Sequence, residues 1–188
     1  MERAITGYHL DDEGDWVAEL ICGHNQHVRH RPPFQLRPWV LDAAGRSARL
    51  GSPLDCPLCE RAELPEALRF VRSSPVWDEH SLPRALRRAH RVATGTWGRI
   101  TVHQGRLQFR AQTDPPLQVV LGPHTTQAIP PDVEHDVTPL GTALVSIDFF
   151  AIDREQHMVT RSVREADRSG DPACWAHLVD EETGRIEE

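Results

Sequence analysis

The chain of 188 residues lacks any apolar run long enough to cross a bilayer. Its first residues also lack the cationic and then apolar pattern of a secretory signal. We therefore expect a cytoplasmic protein with no membrane partner. Lysine is absent too: all 21 basic residues are arginine. Codon usage explains this bias, so we attach no function to it.

An excess of positive charge is missing from every part of the chain. Residues 1–64 carry seven arginines and ten acids, residues 65–150 carry nine and eight, and residues 151–188 carry five and ten. Proteins that bind nucleic acid usually show a strongly basic patch. The charge pattern therefore argues against nucleic acid as a partner.

Cysteine is scarce, with four residues in the chain, and three of them fall in its first third. Thiols stay reduced in the cytoplasm, so a cysteine cluster there is better explained by metal binding than by disulfides. Three histidines, His24, His27 and His30, share this part of the sequence. Their types and spacing point to a metal site, with His30 at its margin.

The cysteine spacing predicts a structural Zn²⁺. Zn²⁺ prefers four tetrahedral nitrogen or sulfur ligands, commonly supplied as two close pairs. Cys56 and Cys59 form one pair, and Cys22 with His24 or His27 forms the other. We prefer His24 as the fourth ligand and keep His27 as the alternative. A unit of this size rarely stabilises itself by its apolar core alone, which favours a structural ion.

Two other interpretations of this region are weaker. A lone C-x-x-C pair is also typical of redox sites, but no βαβ pattern surrounds it and Cys22 would stay unexplained. Arginines near aromatic residues occur in zinc ribbons that bind nucleic acid, but residues 1–64 are net negative. The residues concerned are Arg29, Arg31, Arg37, Arg46 and Arg49 with Phe34 and Trp39.

Short alternating segments separated by glycine and proline turns predict a mainly β fold of the sandwich or barrel kind. In the first third, the pattern predicts strands over residues 4–9 and 16–21. Later strands are predicted over residues 96–104, 106–111, 117–121, 127–129, 134–138 and 144–150. Two of the turns between them are expected at Gln104-Gly105 and at Pro139-Leu140-Gly141.

Two resemblances extend this prediction. The segments Gly14–Ala18, Cys22–His24, Gln26–Pro33 and Cys56–Cys59 resemble a small bacterial domain family of unknown function. This resemblance implies a shared fold with metal-type residues and no known activity. The segments Leu64–Phe70, Ser74–Trp77, His90, Gly95–Val102, Gly105–Leu107, Ile129–Val137 and Asp148–Phe150 resemble the cupin domain of tellurite-resistance (TehB-type) proteins.

The cupin resemblance implies a second metal site. His135 would lie in the second half-site and His90 in the first, whereas the glutamate and the second histidine of a general cupin half-site are missing. An acid such as Asp148 or Glu134, or water, would complete the shell. Trp97, near the position of the missing glutamate, is expected in the barrel core.

The sequence therefore predicts a zinc-ribbon-like module at residues 1–64, a single cupin jelly-roll barrel at residues 65–151 and an acidic extension at residues 152–188, in which residues 172–179 would dock on the body. We expect a metal-binding cupin for a small-molecule or anionic ligand, in a response to oxyanions or other small solutes. The alternatives are a metal-dependent cupin enzyme (oxygenase or isomerase) and a regulatory protein whose zinc module binds a partner. A divalent metal in the barrel and a homodimer complete these expectations.

Overall fold

The structure, a computed structural model, describes residues 1–153. These residues contain two short α-helices, α1 (Ala43–Ala48) and α2 (Pro57–Glu60), and a 3₁₀ helix at Pro38–Val40. The strands are β1 (Glu2–Leu10), β2 (Trp16–Leu20), β3 (Asn25–His27), β4 (Pro53–Asp55), β5 (Leu68–Ser73), β6 (Trp77–Asp78), β7 (Thr96–Ala111), β8 (Leu117–Leu121), β9 (Thr125–Ile129) and β10 (His135–Ile152). The mainly β prediction is confirmed.

Met1–Asp153 form one unit by their contacts. The division of this range between residues 64 and 65 stays a prediction. The expected extension lies outside the described residues from residue 154 onward, and so does its docking segment at residues 172–179. None of the helices in the described range is long and apolar enough to cross a membrane.

A small antiparallel sheet occupies the first third, with strand order β3-β2-β1-β4. The turn from β1 to β2 is fixed by Asp11, whose Oδ1 accepts hydrogen bonds from the amides of Glu13 and Asp15. On its other edge β1 pairs with β4, with Arg3 opposite Leu54. β4 thereby brings the C-x-x-C segment to the same sheet as the turn that follows β2.

A large antiparallel sheet of six strands is organised around β10. β7 pairs with β10 along its length, β5 and β6 pair with β10, and β8 and β9 pair with β7. Alternate residues of these strands form an apolar core that includes Ile100, Val102, Phe109, Val137 and Ile147. This period-two pattern is the one from which the strands were predicted.

The predictions of turns at Gln104-Gly105 and at Pro139-Leu140-Gly141 are wrong. β7 continues through the first of these positions and β10 continues through the second. The pairing register slips between Pro139 and Ala143, opposite Gly105. Such irregularities bend a strand without ending it. Gly105 has φ +77°, and a Cβ there would lie 1.8 Å from the carbonyl oxygen of Thr142. Glycine is therefore required at this bend.

The two sheets share a buried cluster of side chains, and Trp97 lies in it. Successive residues of a strand face opposite sides of the sheet, so Trp97 points away from the core that holds Ile100. It packs in the cluster that contains Ile5 and Cys22, and its Nε1 donates a hydrogen bond to the Cys22 carbonyl at 2.7 Å. The expected place of Trp97 inside a barrel core is thus corrected.

Candidate metal centre

Two tight turns of the small sheet present four metal-type side chains to one another. Cys22 and His24 lie in the turn between β2 and β3, where the Leu20 amide donates to the His24 carbonyl at 2.9 Å. Cys56 caps α2, and Cys59 follows one turn later on the same helix. All four side chains are buried, and their ligand atoms lie within 4.8 Å of one another.

The distances in this cluster fit a tetrahedral ion. His24 Nδ1 lies 3.6 Å from Cys22 Sγ, 3.3 Å from Cys56 Sγ and 3.5 Å from Cys59 Sγ, and Cys22 Sγ lies 3.9 Å from Cys56 Sγ. Bonds of about 2.3 Å to sulfur and about 2.1 Å to nitrogen would separate sulfur from nitrogen by about 3.6 Å and two sulfurs by about 3.8 Å in a tetrahedron. The residues present could therefore hold a metal ion such as Zn²⁺.

The close contacts within the cluster perturb the ionisation of its members. Burial opposes protonation of His24, but hydrogen bonds with Cys22 and Cys56 outweigh burial and raise its pKa to about 9. Hydrogen bonds with Cys22 and Cys59 lower the pKa of Cys56, whereas hydrogen bonds with Cys22 and Cys56 raise that of Cys59. Three thiols this close cannot all ionise without a counter-charge. A divalent ion would supply that charge and displace their protons.

Of the two alternatives for the fourth ligand, the structure brings His24 to the sulfurs. His27 is exposed, and its Nε2 lies 2.8 Å from Asp11 Oδ2. His27 lies at the far end of β3, opposite Val17, and β3 leads away from the turn that holds His24. His30 is also outside the cluster, where its Nδ1 accepts a hydrogen bond from the Arg37 amide at 3.0 Å.

A buried arginine lies beside the cluster, and its role was not predicted from the sequence. Arg3 is 8% exposed, and its Nη2 donates to the Pro131 carbonyl at 2.9 Å and to Met1 Sδ at 3.0 Å. Its Nε is buried without a hydrogen-bond partner. Its charge favours the thiolate form of Cys59. A single arginine in a strand carries no pattern that would reveal such a role.

His90 and His135 come together at one end of the large sheet. Their backbones form an antiparallel bridge with N–O distances of 3.1 and 2.9 Å, and their ring centroids are 4.1 Å apart. The Nδ1 of His90 lies 2.9 Å from the Arg88 carbonyl, and that of His135 lies 2.9 Å from the Val133 carbonyl. Each ring therefore uses Nδ1 to fix its orientation and has Nε2 left for another ligand.

The environment of His135 is apolar, whereas His90 is half-buried. His135 is 3% exposed and lies beside Phe109, with ring centroids 6.0 Å apart. Burial, opposed by the hydrogen bond to Val133, lowers the pKa of His135 to about 4. The ring is therefore neutral near pH 7, as a metal-binding imidazole must be. A metal role for His90 and His135 stays a prediction.

The acids expected to complete this shell lie elsewhere. Asp148 faces the other side of the sheet from Ile147 and binds Arg99 Nη2 at 2.9 Å and Ser73 Oγ at 2.6 Å. Glu134 precedes His135 in an extended segment and lies 3.6 Å from Arg91. Among residues 1–153, no group of three or more metal-type side chains includes the histidine pair.

Comparison with known proteins finds a family match in each of two segments of the described chain. Residues 6–63 match a family described as a protein of unknown function (DUF3565). Residues 72–146 match a TehB-like domain. A stretch of 43 residues, 23% of this chain, is 37% identical to the probable S-adenosyl-L-methionine-dependent methyltransferase TehB of Haemophilus influenzae. The chain spans 15% of the length of that relative.

Solved structures align with somewhat less than half of the chain. A protein from E. coli (strain K12) aligns with TM-score 0.44 and 21% identity over 48% of this chain and 97% of its own. TehB from Haemophilus influenzae aligns with TM-score 0.42 and 26% identity over 46% of this chain and 32% of its own. FeII HppE aligns with TM-score 0.32 and 15% identity over 44% of this chain and 42% of its own. The predicted combination of an N-terminal family of unknown function with a TehB-like domain is thus found.

Proposed function

We propose that the protein binds two metal ions. A structural Zn²⁺ would occupy the cluster of Cys22, His24, Cys56 and Cys59. A divalent ion on His90 and His135, in a cupin-type barrel, would bind a small molecule or anion. The observation that carries this second site is the pair of rings whose Nδ1 atoms are both bonded to backbone carbonyls, because histidines that bind metal usually donate their other N–H in this way.

The two sites would have different roles because they differ in the number of protein ligands. Four protein ligands leave no position on a tetrahedral ion, which is typical of structural zinc. Three sulfurs and one imidazole also suit Zn²⁺ better than Mg²⁺ or Ca²⁺. Two histidines leave several positions for water or an exchangeable ligand, so the chemistry would belong to this second site.

The ligand class rests on the TehB-like match, and the surroundings of the histidine pair indicate how such a ligand would be held. Val133, Phe109 and Val137 belong to the apolar core around His135, and the buried polar residues of the described chain are Arg3, His24, Thr113 and His135. An anion near His135 would thus be held by the ion more than by a basic side chain. The TehB-like match, together with the resemblance to tellurite-resistance proteins, supports a small oxyanion as this ligand.

Metal quantification on full-length protein purified without chelators tests the two sites. We expect two ions per chain in the unaltered protein and one in His90→Ala and in His135→Ala. The matched control is His103→Ala, an exposed histidine whose Nε2 lies 2.8 Å from Ser146 Oγ; it should keep both ions. Equal metal content in all of these proteins would refute the second site.

Two further measurements separate the parts of the proposal. His24→Ala should lose the tightly held Zn²⁺, whereas His27→Ala should keep it, since His27 pairs with Asp11. Replacement of the second ion by Co²⁺ gives a visible spectrum, which should change when tellurite or phosphate is added. If no anion changes the spectrum, metal binding would still stand but the anionic ligand would be refuted.

A further inference from the structure

The segment between β3 and β4, residues 31–50, presents an unusual share of exposed apolar side chains. We call it the 31–50 lobe. Nine large apolar side chains are exposed in the described range, and four of them lie in these twenty residues. They are Phe34 (94% exposed), Leu36 (70%), Leu41 (65%) and Leu50. These exposed apolar residues share one segment of the chain, and contiguous exposed apolar surface is typical of interaction sites.

The same lobe is basic on an acidic protein. It holds four arginines and one acid, whereas the other residues of the range 1–153 hold twelve arginines and eighteen acids. The acid, Asp42, is occupied as the N-cap of α1, where it accepts a hydrogen bond from the Gly45 amide. The lobe therefore carries most of its positive charge uncompensated.

Hydrogen bonds and close packing fix the backbone of the lobe. The tip that holds Phe34 is closed by two backbone hydrogen bonds between Arg31 and Gln35, at 2.9 and 3.0 Å. α1 lies directly on the 3₁₀ helix, since a Cβ at Gly45 would come within 2.5 Å of the Trp39 carbonyl oxygen. The backbone that carries the apolar side chains is thus fixed before a partner binds, so binding would cost little backbone entropy.

We propose that the 31–50 lobe is a docking surface for an acidic segment of a partner protein that also carries apolar side chains. Phe34, Leu36 and Leu41 supply the apolar contact. Arg37 and Arg49 have no ion pair with a carboxylate among the described residues, so their guanidinium groups can bind the acids of the partner. Such pairs at the edge of an apolar contact give specificity and fast association.

The arginine contacts favour a peptide over a nucleic acid. Arg31 and Arg29 both bind Asp15. Arg46 lies 3.6 Å from the centre of the Trp16 ring and donates to the Val40 carbonyl. Arg37 and Arg49 remain without a carboxylate partner among the described residues, although Arg49 lies 5.6 Å from the centre of the Trp39 ring. Two such groups are fewer than a phosphate backbone or an anionic bilayer usually requires. Phe34 offers one exposed aromatic ring, but the exposed leucines of the lobe give no stacking platform for successive bases. An apolar peptide can contact all of these side chains.

A peptide display selection tests this proposal. Full-length, metal-loaded protein would be the bait for a random 16-residue library. We expect the enriched peptides to combine Asp or Glu with large apolar residues. A synthetic enriched peptide should bind at least about tenfold more weakly to Phe34→Ser/Leu36→Ser and to Arg37→Gln/Arg49→Gln, as for central interface residues. Added salt should weaken its binding.

Matched controls make the selection decisive. Phe70→Ser and Arg106→Gln change an exposed aromatic residue and an exposed arginine outside the lobe, and they should bind the peptide like the unaltered protein. Thermal unfolding would establish that each variant is folded. The proposal fails if no peptide is enriched, if the enriched peptides lack acids, or if the lobe variants bind normally. It also fails if a thymidine oligonucleotide or vesicles with anionic lipid bind the lobe in place of the peptide.

Discussion

Arg3 is the residue whose position is hardest to explain without a metal ion. A buried guanidinium is costly unless an opposite charge lies nearby, and no carboxylate among the described residues forms an ion pair with Arg3. Three thiolates, a neutral imidazole and a divalent ion together carry one negative charge. The metal-loaded cluster would therefore balance the single positive charge of Arg3.

Replacement of Arg3 by methionine should weaken metal binding at the cluster. Arg3→Met keeps much of the side-chain length but removes the charge that favours the thiolates. We expect affinity for Zn²⁺ to fall about tenfold, equivalent to about 1.4 kcal/mol, in competition with a chromophoric chelator. Arg106→Met, on an exposed part of β7, is the control. Unchanged affinity in Arg3→Met would mean that its charge is balanced in some other way.

The residues that could be predicted at this scale are those whose types and spacing carry chemistry. The C-x-x-C pair and the Cys22-x-His24 pair follow from the geometry that Zn²⁺ requires. Arg3 and Trp97 could not be predicted, because their roles depend on contacts with Pro131 and Cys22, which are far away in the sequence. Asp148 was misassigned because the sequence does not say which face of β10 it occupies.

At the scale of elements, the strands were predictable and their ends were not. Alternation of apolar and polar residues located β1, β2 and the parts of β7 and β10. Gly105 and Gly141 both have positive φ, a conformation used equally by tight turns and by irregularities within strands. The sequence therefore marks where the backbone bends, whereas only the pairing shows that the strand continues.

Trp97 at the start of β7 links the large sheet to the turn that holds Cys22 and His24. The contribution of this link to stability should be measurable. Trp97→Phe keeps an aromatic ring but removes the Nε1 donor to the buried Cys22 carbonyl. An unpaired buried carbonyl costs about 1–3 kcal/mol, so we expect the free energy of unfolding in urea to fall by that amount. Trp39→Phe is the control, since it makes the same substitution at a half-buried ring that packs against the Tyr8 ring. Equal losses in the two variants would argue against the hydrogen bond.

At the scale of the whole described unit, the metal cluster lies where the two sheets meet. Trp97 contacts the His24 ring, with centroids 5.3 Å apart, and Arg3 binds the carbonyl of Pro131. Pro131 precedes His135 by four residues. The two parts of the chain were predictable from separate sequence patterns. Their joint core was not, because no local pattern encodes a contact between distant segments.

If the cluster holds the proposed structural ion, its removal should loosen the large sheet as well as the small one. We expect a chelator to speed hydrogen exchange in β1 and β2, and also around Trp97 and at residues 129–135, because these segments share the buried cluster or its hydrogen bonds. Amides of β8, which pairs with the far half of β7, should change least. The experiment is best done on the His90→Ala/His135→Ala protein, in which loss of a second ion cannot contribute. Faster exchange confined to residues 1–64 would show instead that the large sheet holds its structure without the metal cluster.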